Sequence, residues 1–453
     1  MAPVTIVGGG LSGAEAAWQA AQAGAPVRLY EMRPTVRTPA HQTAHLAELV
    51  CSNSLKSLET TTASGLLNAE LGRLDSLILE VAKRHAVPAG TALAVDREAF
   101  AAEVTARLAA HPGITIVREE VKALPPERPC IVATGPLTSD ALAEDLCALF
   151  AAFLGEAEAR PGLTPAAAPR ARLFFYDAIS PIVAADSVDR TVAFGASRYG
   201  KGGEDYLNCP LSEAEYTAFW EGLRTAETYP LHAFEETPFF EGCLPIEELA
   251  RRGKDALCFG PMRPVGLRDP RTGRLPHAVV QLRREDVAGA LWGLVGFQTR
   301  MRRGEQQRVF RMIPGLAQAE FLRYGSIHRN TYIASPLLLL STLQFRGDPG
   351  LLFAGQLIGV EGYMESVGAG LLAGLNAARL IQGKPPVVPP PESLLGAILR
   401  YVTEGAPPDF APMNVNFGLL PPLPRPVRNR RRRSEALAER ALGALEAWRR
   451  FLG

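Results

Sequence analysis

The sequence lacks several features that define common protein classes. No apolar run in its 453 residues approaches the ~18 residues of a membrane-spanning helix, so a membrane protein is excluded. Its six cysteines form no Cys-x-x-Cys pair, which argues against zinc ribbons and thioredoxin-like redox sites. The opening residues, MAPVTIVGGG, show no basic n-region, apolar h-region or cleavage site. We therefore expect a cytoplasmic protein whose cysteines remain thiols.

Charge is nearly balanced overall but uneven along the chain. The net charge is +1, whereas residues 281–330 carry nine Arg against four acids and residues 421–453 carry nine Arg against three Glu. Two Arg-rich segments on a near-neutral protein indicate a polyanion partner. A general preference for Arg over Lys is the alternative, because only six of the 48 basic residues are Lys. With 47% apolar residues, the chain is long enough for two or three domains with sizeable cores.

The most informative segment lies at the N-terminus. An apolar strand over residues 4–7 precedes GGGLSG, an Ala-rich helix over 14–23 and a second strand ending at Glu31. Glycines at positions 8, 10 and 13 between strand and helix, with an acid eighteen residues further on, are typical of dinucleotide binding. Gly8 would permit the tight turn, Gly10 a close approach of backbone to pyrophosphate, and Gly13 close helix packing. Glu31 would accept hydrogen bonds from a ribose diol.

The same alternation of strands and helices continues and then returns near the C-terminus. Strands are expected over 93–95, 114–117 and 129–135, a helix over 97–110, and a late strand and helix over 351–356 and 366–380. The dinucleotide domain is therefore expected to be split, formed by residues 1–145 and 325–400. An inserted domain, on the substrate side, would occupy 146–324. Residues 401–453 would hold a Pro-rich connector and a basic helix starting at Ser434.

These elements together resemble the glutathione-reductase-type FAD fold, because the Ala-Thr-Gly at 133–135 and the distal strand ending in glycine recur there. The resemblance implies an α/β fold in which a Rossmann FAD-binding domain is interrupted by an inserted α+β domain. Gln356 stands where that fold usually has Asp, so an amide would make the contact to the ribityl chain. The implied FAD-binding residues are Gly8, Gly9, Gly10, Leu11, Ser12, Gly13, Glu31, Gly355 and Gln356.

Four further motifs resemble the TrmFO family of folate- and FAD-dependent tRNA uracil-5 methyltransferases. They are CSNSLKS from Cys51, EGCLPIE around Cys243, FLRYGSIHRNT from Phe321 and VEGYMES from Val360. The resemblance implies that a one-carbon unit passes from methylenetetrahydrofolate to C5 of a uridine in the tRNA T loop. FAD reduced by NADPH or NADH would supply the electrons. Neither DNA nor a membrane is expected as a partner.

Methylation at C5 of uracil needs a nucleophile, because C5 gains electron density when a thiolate adds to C6. Such a cysteine must be ionised in a positive environment, and Lys56 or a nearby helix N-terminus would provide it. We predict Cys51 as the nucleophile and Cys243 as its partner that removes the C5 proton, with the two roles exchangeable. Cys130 and Cys147 are interpreted as structural residues within a strand and a helix.

Two residues are candidates for a folate and substrate pocket. His328, placed in a polar loop, would contact the pterin, with an ordinary loop histidine as the alternative. Tyr363 would line the same pocket, or else pack in the core. His41 and His45 have the spacing of a metal pair, but no third ligand is evident, so no metal is expected.

Three other functions stay open at this point. A relative of MnmG (GidA) would modify the wobble uridine of the anticodon, although that protein is considerably longer. A small-molecule flavin oxidoreductase would turn over NAD(P)H without RNA. A non-catalytic RNA-binding protein would hold FAD as a structural group only.

Overall fold

The computed structural model describes residues 2–38, 40–158, 172–200, 203–229, 244–405 and 410–452, without the side chains of 156–158, 172–179 and 327–331. Seventeen strands lie in these residues: β1 Val4–Val7, β2 Val27–Tyr30, β3 Ser54–Ser57, β4 Ala86–Val87, β5 Ala92–Val95, β6 Ile114–Val117, β7 Cys130–Val132, β8 Arg172–Ile179, β9 Ile182–Ala184, β10 Phe194–Gly195, β11 Tyr206–Leu211, β12 Ala278–Arg284, β13 Leu291–Leu294, β14 Phe321–Arg323, β15 Ser326–Ile333, β16 Gln344–Phe345 and β17 Asp348–Phe353.

Thirteen α-helices occur in the same described residues. They are α1 Leu11–Gln22, α2 Ala63–Arg73, α3 Leu77–Arg84, α4 Arg97–Ala110, α5 Asp140–Glu158, α6 Glu213–Thr225, α7 Ile246–Arg251, α8 Ala256–Phe259, α9 Arg303–Phe310, α10 Ser335–Leu338, α11 Tyr363–Ile381, α12 Leu394–Glu404 and α13 Arg430–Leu452. None of them is long and apolar enough to cross a bilayer.

The first sheet combines the two ends of the chain. Its strand order is β16-β17-β7-β1-β2-β6, parallel except at β16. The strands are short, apolar and rich in Val and Ile, as expected for a sheet covered on both faces. Helices α1 and α11 pack closely against each other, since a Cβ on Gly370 of α11 would lie 2.1 Å from the carbonyl oxygen of Ser12 in α1. The predicted α/β class is confirmed.

A second sheet has its own core. Its order is β10-β11-β12-β13-β9-β14, and every neighbouring pair is antiparallel. Tyr216, Phe219 and Phe310, from helices α6 and α9, are fully buried against it. This part of the chain therefore folds around a hydrophobic cluster separate from that of the first sheet.

A two-stranded ribbon connects the two units. Strands β8 and β15 pair antiparallel over eight residues, with His328 opposite Asp177. The prediction of a loop around His328 is therefore wrong, because backbone pairing makes this segment a strand. The expected boundary at residue 146 falls inside α5, whose Phe150 packs against Phe353 of the first sheet. We therefore place the start of the insert at the ribbon.

The C-terminal helix is longer than expected and packs on the first unit. It begins at Arg430 rather than Ser434, because the Asn429 side chain accepts a hydrogen bond from the Arg432 amide at 3.0 Å. Leu437, Ala441 and Leu445 are buried in the core of the first sheet.

Candidate active site

Glycines build the turn between β1 and α1 because side chains would not fit there. Gly8 has φ +105°, and a Cβ on it would lie 2.6 Å from the Ala133 carbonyl oxygen. A Cβ on Gly13 would lie only 1.8 Å from the carbonyl oxygen of Gly8. Gly10 differs, because a Cβ there would meet none of the described atoms within 4 Å. The turn therefore needs Gly8 and Gly13 for packing, and Gly10 borders open space.

That open space belongs to a cleft whose empty volume, including its opening to solvent, is about 1030 Å³. The glycine loop, residues 8–13, lines it through residues 8–12 at the start of α1, where Gly10 offers no side-chain cap to the helix. The Ser12 hydroxyl is buried and has no hydrogen-bond partner among the described residues. Free helix N–H groups and an unpaired hydroxyl fit the phosphates of a dinucleotide. The cleft therefore fits the pyrophosphate of a dinucleotide such as FAD.

Glu31 lies in the cleft but already has partners. Its carboxylate accepts hydrogen bonds from the Gly9 amide at 3.1 Å and from the Arg33 Nε at 2.8 Å. Burial alone would raise the pKa of Glu31, but the hydrogen bonds and charge of Arg33 outweigh burial and lower it. Arg33 itself is 2% exposed and also pairs with Glu48 at 3.0 Å. A ribose diol would therefore replace one of these bonds rather than meet an empty carboxylate.

The opposite wall of the cleft comes from the C-terminal part of the first unit. Gly355, with φ +78°, and Gln356 follow β17 and line the cleft together with Tyr363 and Ser366 at the start of α11. A Cβ on Gly355 would lie 2.9 Å from the Ser12 Cβ, so glycine is needed where the two walls meet. All the predicted cofactor residues except Gly13 therefore border one cavity.

The cysteine loop, residues 49–53, is fixed to this cleft through Tyr363. The Tyr363 hydroxyl accepts hydrogen bonds from the amides of Cys51 at 2.9 Å and Ser52 at 3.1 Å. Burial raises the pKa of Tyr363, so the phenol stays neutral. One side chain that lines the cleft thus sets the backbone position of Cys51.

Two arginines hold the carbonyl side of the cysteine loop. Arg97 donates to the carbonyl oxygens of Leu49 at 2.8 Å and Cys51 at 3.2 Å. Arg323 donates to the carbonyl oxygen of Val50 at 3.0 Å. Two guanidinium groups therefore lie along the backbone of the cysteine loop, supplied by residues that sequence reasoning did not name for this role.

The insert also contributes to the cysteine loop. Arg283 of β12 donates to the Ser52 Oγ at 2.8 Å and the Asn53 Oδ1 at 2.7 Å. Glu285, 4% exposed, pairs with Arg97 at 2.7 Å. The cysteine loop is therefore fixed by side chains from both units at once.

Several expectations for the site differ from the structure. No helix begins at Cys51, because the chain continues into β3 and α2 starts only at Ala63. Lys56, with φ +63°, pairs its ammonium with Glu365 at 3.4 Å. Cys243 lies outside the described residues, and so does the side chain of His328, so neither position is tested.

Two further cysteines and His41 have shifted pKa values in the structure. Burial raises the pKa of Cys130 and of Cys209 to about 12, which makes both unsuitable as thiolates. His41 lines the cleft with its Nδ1 2.5 Å from the Thr38 Oγ1. Burial and the charge of Arg33 lower the pKa of His41 to about 4, so it is neutral. Among the described residues no cluster of three His, Cys, Asp or Glu could hold a metal ion.

The chain is similar over most of its length to known proteins. A family model described as "Glucose inhibited division protein A" matches residues 3–385. Proteins named methylenetetrahydrofolate–tRNA-(uracil-5-)-methyltransferase TrmFO from Heliobacterium modesticaldum and Moorella thermoacetica are 57% and 56% identical, over 98% of this chain and 97% of theirs. The protein of that name from Geobacter sulfurreducens is 55% identical, over 98% of both chains.

Similarity to solved structures concerns the fold. GidA from Aquifex aeolicus superposes with a TM-score of 0.68 at 16% identity, covering 98% of this chain and 75% of that chain. A second crystal form of the same protein gives a TM-score of 0.65.

Proposed function

This chain belongs to the TrmFO family, and from that membership we propose that it methylates C5 of a uridine in tRNA to give 5-methyluridine, with methylenetetrahydrofolate as carbon donor. The observation that carries the proposal is the hydrogen bonding of the cysteine loop to Tyr363, a residue that lines the dinucleotide cleft. This contact brings the loop of the candidate nucleophile to the edge of the cofactor site. The reaction needs both close together.

In the proposed mechanism, the Cys51 thiolate adds to C6 of the uracil ring, and electron density moves to C5. The guanidinium groups of Arg97 and Arg323 fix the carbonyl side of the cysteine loop. After the one-carbon unit bonds to C5, a base removes the C5 proton, and the C6–S bond then breaks. We assign that base to Cys243, with the roles of the two cysteines exchangeable.

We propose FAD as the resident cofactor, which supplies the electrons that reduce the transferred carbon to a methyl group. The glycine loop and Ser12 would bind its pyrophosphate, Glu31 its ribose, and Gly355 with Gln356 the opposite wall of the cleft. A glutathione-reductase-type arrangement of this domain, with NADPH or NADH as the reductant, belongs to the same proposal.

The proposed binding of tRNA and folate is based on the arginine charges and on the residues of the predicted pocket. Arginines of residues 281–330 and 421–453 would bind tRNA phosphates, so affinity would fall with salt. The target uridine of the T loop must leave its stack to reach the thiol. His328 and Tyr363 would border the folate. We propose that the enzyme acts in the cytoplasm, together with its tRNA substrate.

Nucleoside analysis of an unmodified tRNA transcript tests the proposal. The transcript is incubated with the protein, methylenetetrahydrofolate and NADPH, with parallel reactions that omit folate or use Cys51→Ala. We expect folate-dependent 5-methyluridine from wild type and at least ~10³-fold less from Cys51→Ala, with FAD retained. Cys147→Ala, on helix α5, is the matched control and should keep wild-type activity.

The other outcomes separate the alternatives. A carboxymethylaminomethyl-type product at the wobble uridine would indicate MnmG-like activity. NADPH oxidation by a yellow protein without any modified nucleoside would indicate a small-molecule oxidoreductase. Wild-type rates from Cys51→Ala would remove Cys51 as the nucleophile.

A further inference from the structure

Six arginines, two just before α13 and four in its first turn, form an exposed surface within the C-terminal Arg-rich segment. We name Arg425, Arg428 and residues 430–433 the arginine platform, and all six side chains are exposed. Among the described residues, only Arg431 has an ion pair, with Glu435 at 3.1 Å. Five positive charges on this surface are therefore not neutralised by described partners.

The placement of these charges opposes helix stability. The N-terminus of a helix is the positive end of its dipole, where acidic residues are favourable and cations are not. The first turn of α13 contains no acid, and residues 430–433 add four adjacent like charges. The Asn429 cap satisfies the Arg432 amide but offers no negative charge. Local folding therefore does not explain the arginines.

The platform is also held rigidly. Arg440 donates to the carbonyl oxygen of Pro422 at 2.9 Å, and Arg449 pairs with Asp75 at 2.5 Å. Leu437 and Leu445 are buried in the core of the first sheet. Because the helix is fixed to the protein, its first turn is a defined surface rather than a solvated tail.

The chain links this surface to the active site. The Val415 amide donates to Glu365 at 3.2 Å, close to the start of α11. From there to Arg425 are ten residues, which span at most about 36 Å. The platform is thus within reach of a single RNA molecule whose target base lies in the active site.

We propose that the arginine platform binds the phosphate backbone of the bound tRNA outside the reacting uridine. This proposal rests on the proposed function and adds the location of a second contact. RNA is favoured over an acidic protein because none of the large exposed apolar side chains of the described residues lies between residues 421 and 440. Protein interfaces depend on such anchors, whereas phosphate contacts need only cations.

Salt-dependent binding of an unmodified tRNA transcript tests the platform. The quadruple variant Arg430→Gln, Arg431→Gln, Arg432→Gln, Arg433→Gln should bind at least about tenfold more weakly at 0.1 M KCl. The slope of log K against log salt should become shallower by about 3, at roughly 0.7–0.9 for each of the four lost charges. The corresponding Arg→Lys quadruple should bind within about threefold of wild type, since it keeps the charges.

The matched control replaces four exposed arginines of the insert with Gln: Arg224, Arg251, Arg268 and Arg274. It should bind tRNA within about twofold of wild type. The Gln variant of the platform should keep its kcat at saturating tRNA and melt no lower than wild type, because it removes cations from a helix N-terminus.

Three results would overturn the proposal: unchanged affinity and slope in the platform variant, an equal loss in the control, or a lower melting temperature that accounts for the loss. Failure of the proposed function is separate, because it would show as absent 5-methyluridine in the wild-type reaction.

Discussion

The glycine loop and the cysteine loop face the same cleft but are held in different ways. The glycine loop is shaped by steric exclusion within one unit, where Gly8 and Gly13 leave no room for a Cβ. The cysteine loop is held by hydrogen bonds from Tyr363 and Arg97 of the first unit and from Arg283 and Arg323 of the insert. Cofactor binding therefore needs one unit, whereas placement of the nucleophile needs both.

The largest effect is expected from a substitution that disrupts only the glycine loop. In Gly13→Ala the new Cβ would overlap the Gly8 carbonyl oxygen, which should cost roughly 3 kcal/mol or more of folding free energy and abolish FAD binding. Gly10→Ala should fold normally, because its Cβ enters open space, yet bind FAD roughly 10- to 100-fold more weakly. Flavin absorbance per protein and urea unfolding of both variants measure these effects.

The contrast between the two glycines is the control. If Gly10→Ala binds FAD as tightly as wild type, the backbone at Gly10 does not approach the cofactor. If Gly13→Ala is as stable as wild type, steric exclusion does not shape the turn.

A smaller effect is expected when the cysteine loop loses its inter-unit anchor. Arg97→Gln removes the closer of the two arginines that pair with the buried Glu285 and leaves only Arg283 at 3.7 Å, so it should cost about 1.5–3 kcal/mol of stability. A displacement of the loop by about 1 Å should lower kcat roughly 100-fold, while FAD stays bound. Arg84→Gln, which breaks exposed pairs with Glu80 and Glu103, is the matched control and should change stability by less than about 1 kcal/mol.

A double variant separates the effect of the loop's position on kcat from the effect of Arg97 on stability. Arg97→Gln with Glu285→Gln should regain part of the lost stability, because the buried carboxylate that lost its closer partner is also removed. It should not regain kcat, since the carbonyl oxygens of Leu49 and Cys51 still lack their donor. Recovery of both would mean that Arg97 acts only on folding.

The smallest effect concerns pH at the cofactor cleft. The pKa of His41 is about 4 in the folded protein against an ordinary 6.5, so the unfolded chain binds the proton first as pH falls. Stability from this group is present above about pH 6.5 and declines toward pH 4. Between pH 7 and 5, wild type should lose about 1–2 kcal/mol more than His41→Gln in urea unfolding. Equal losses would contradict the low pKa.

Sequence reasoning described the first unit well because its signals are local. The strand Val4–Val7 and the helix Arg97–Ala110 have the predicted bounds, since apolar periodicity and the Asp96 cap specify them. The C-terminal helix start was missed because Ser434 is as good a cap as Asn429, and only packing decides between them. The strand through His328 was missed because its partner β8 lies about 150 residues away.

The candidate site shows the same difference between local signals and contacts between distant residues. Its cofactor residues follow from spacing along one segment. Arg97 and Glu285 were missed because their roles arise from contacts between residues 188 positions apart. The only local signal for Arg97 is its position after a helix cap, which indicates a surface residue rather than an anchor. Motifs around Cys51 and Arg323 marked the right segments without indicating that they touch.

The most direct measurement uses tRNA carrying 5-fluorouridine at the target position. A base can remove hydrogen from C5 as a proton but cannot remove fluorine from C5 in this way. The covalent bond between C6 and the nucleophile therefore persists and can be mapped by peptide mass spectrometry. We predict an adduct on Cys51 that requires folate and is absent from Cys51→Ala. An adduct on Cys243 would exchange the two roles, and an adduct on neither cysteine would contradict nucleophilic catalysis by the cysteine loop.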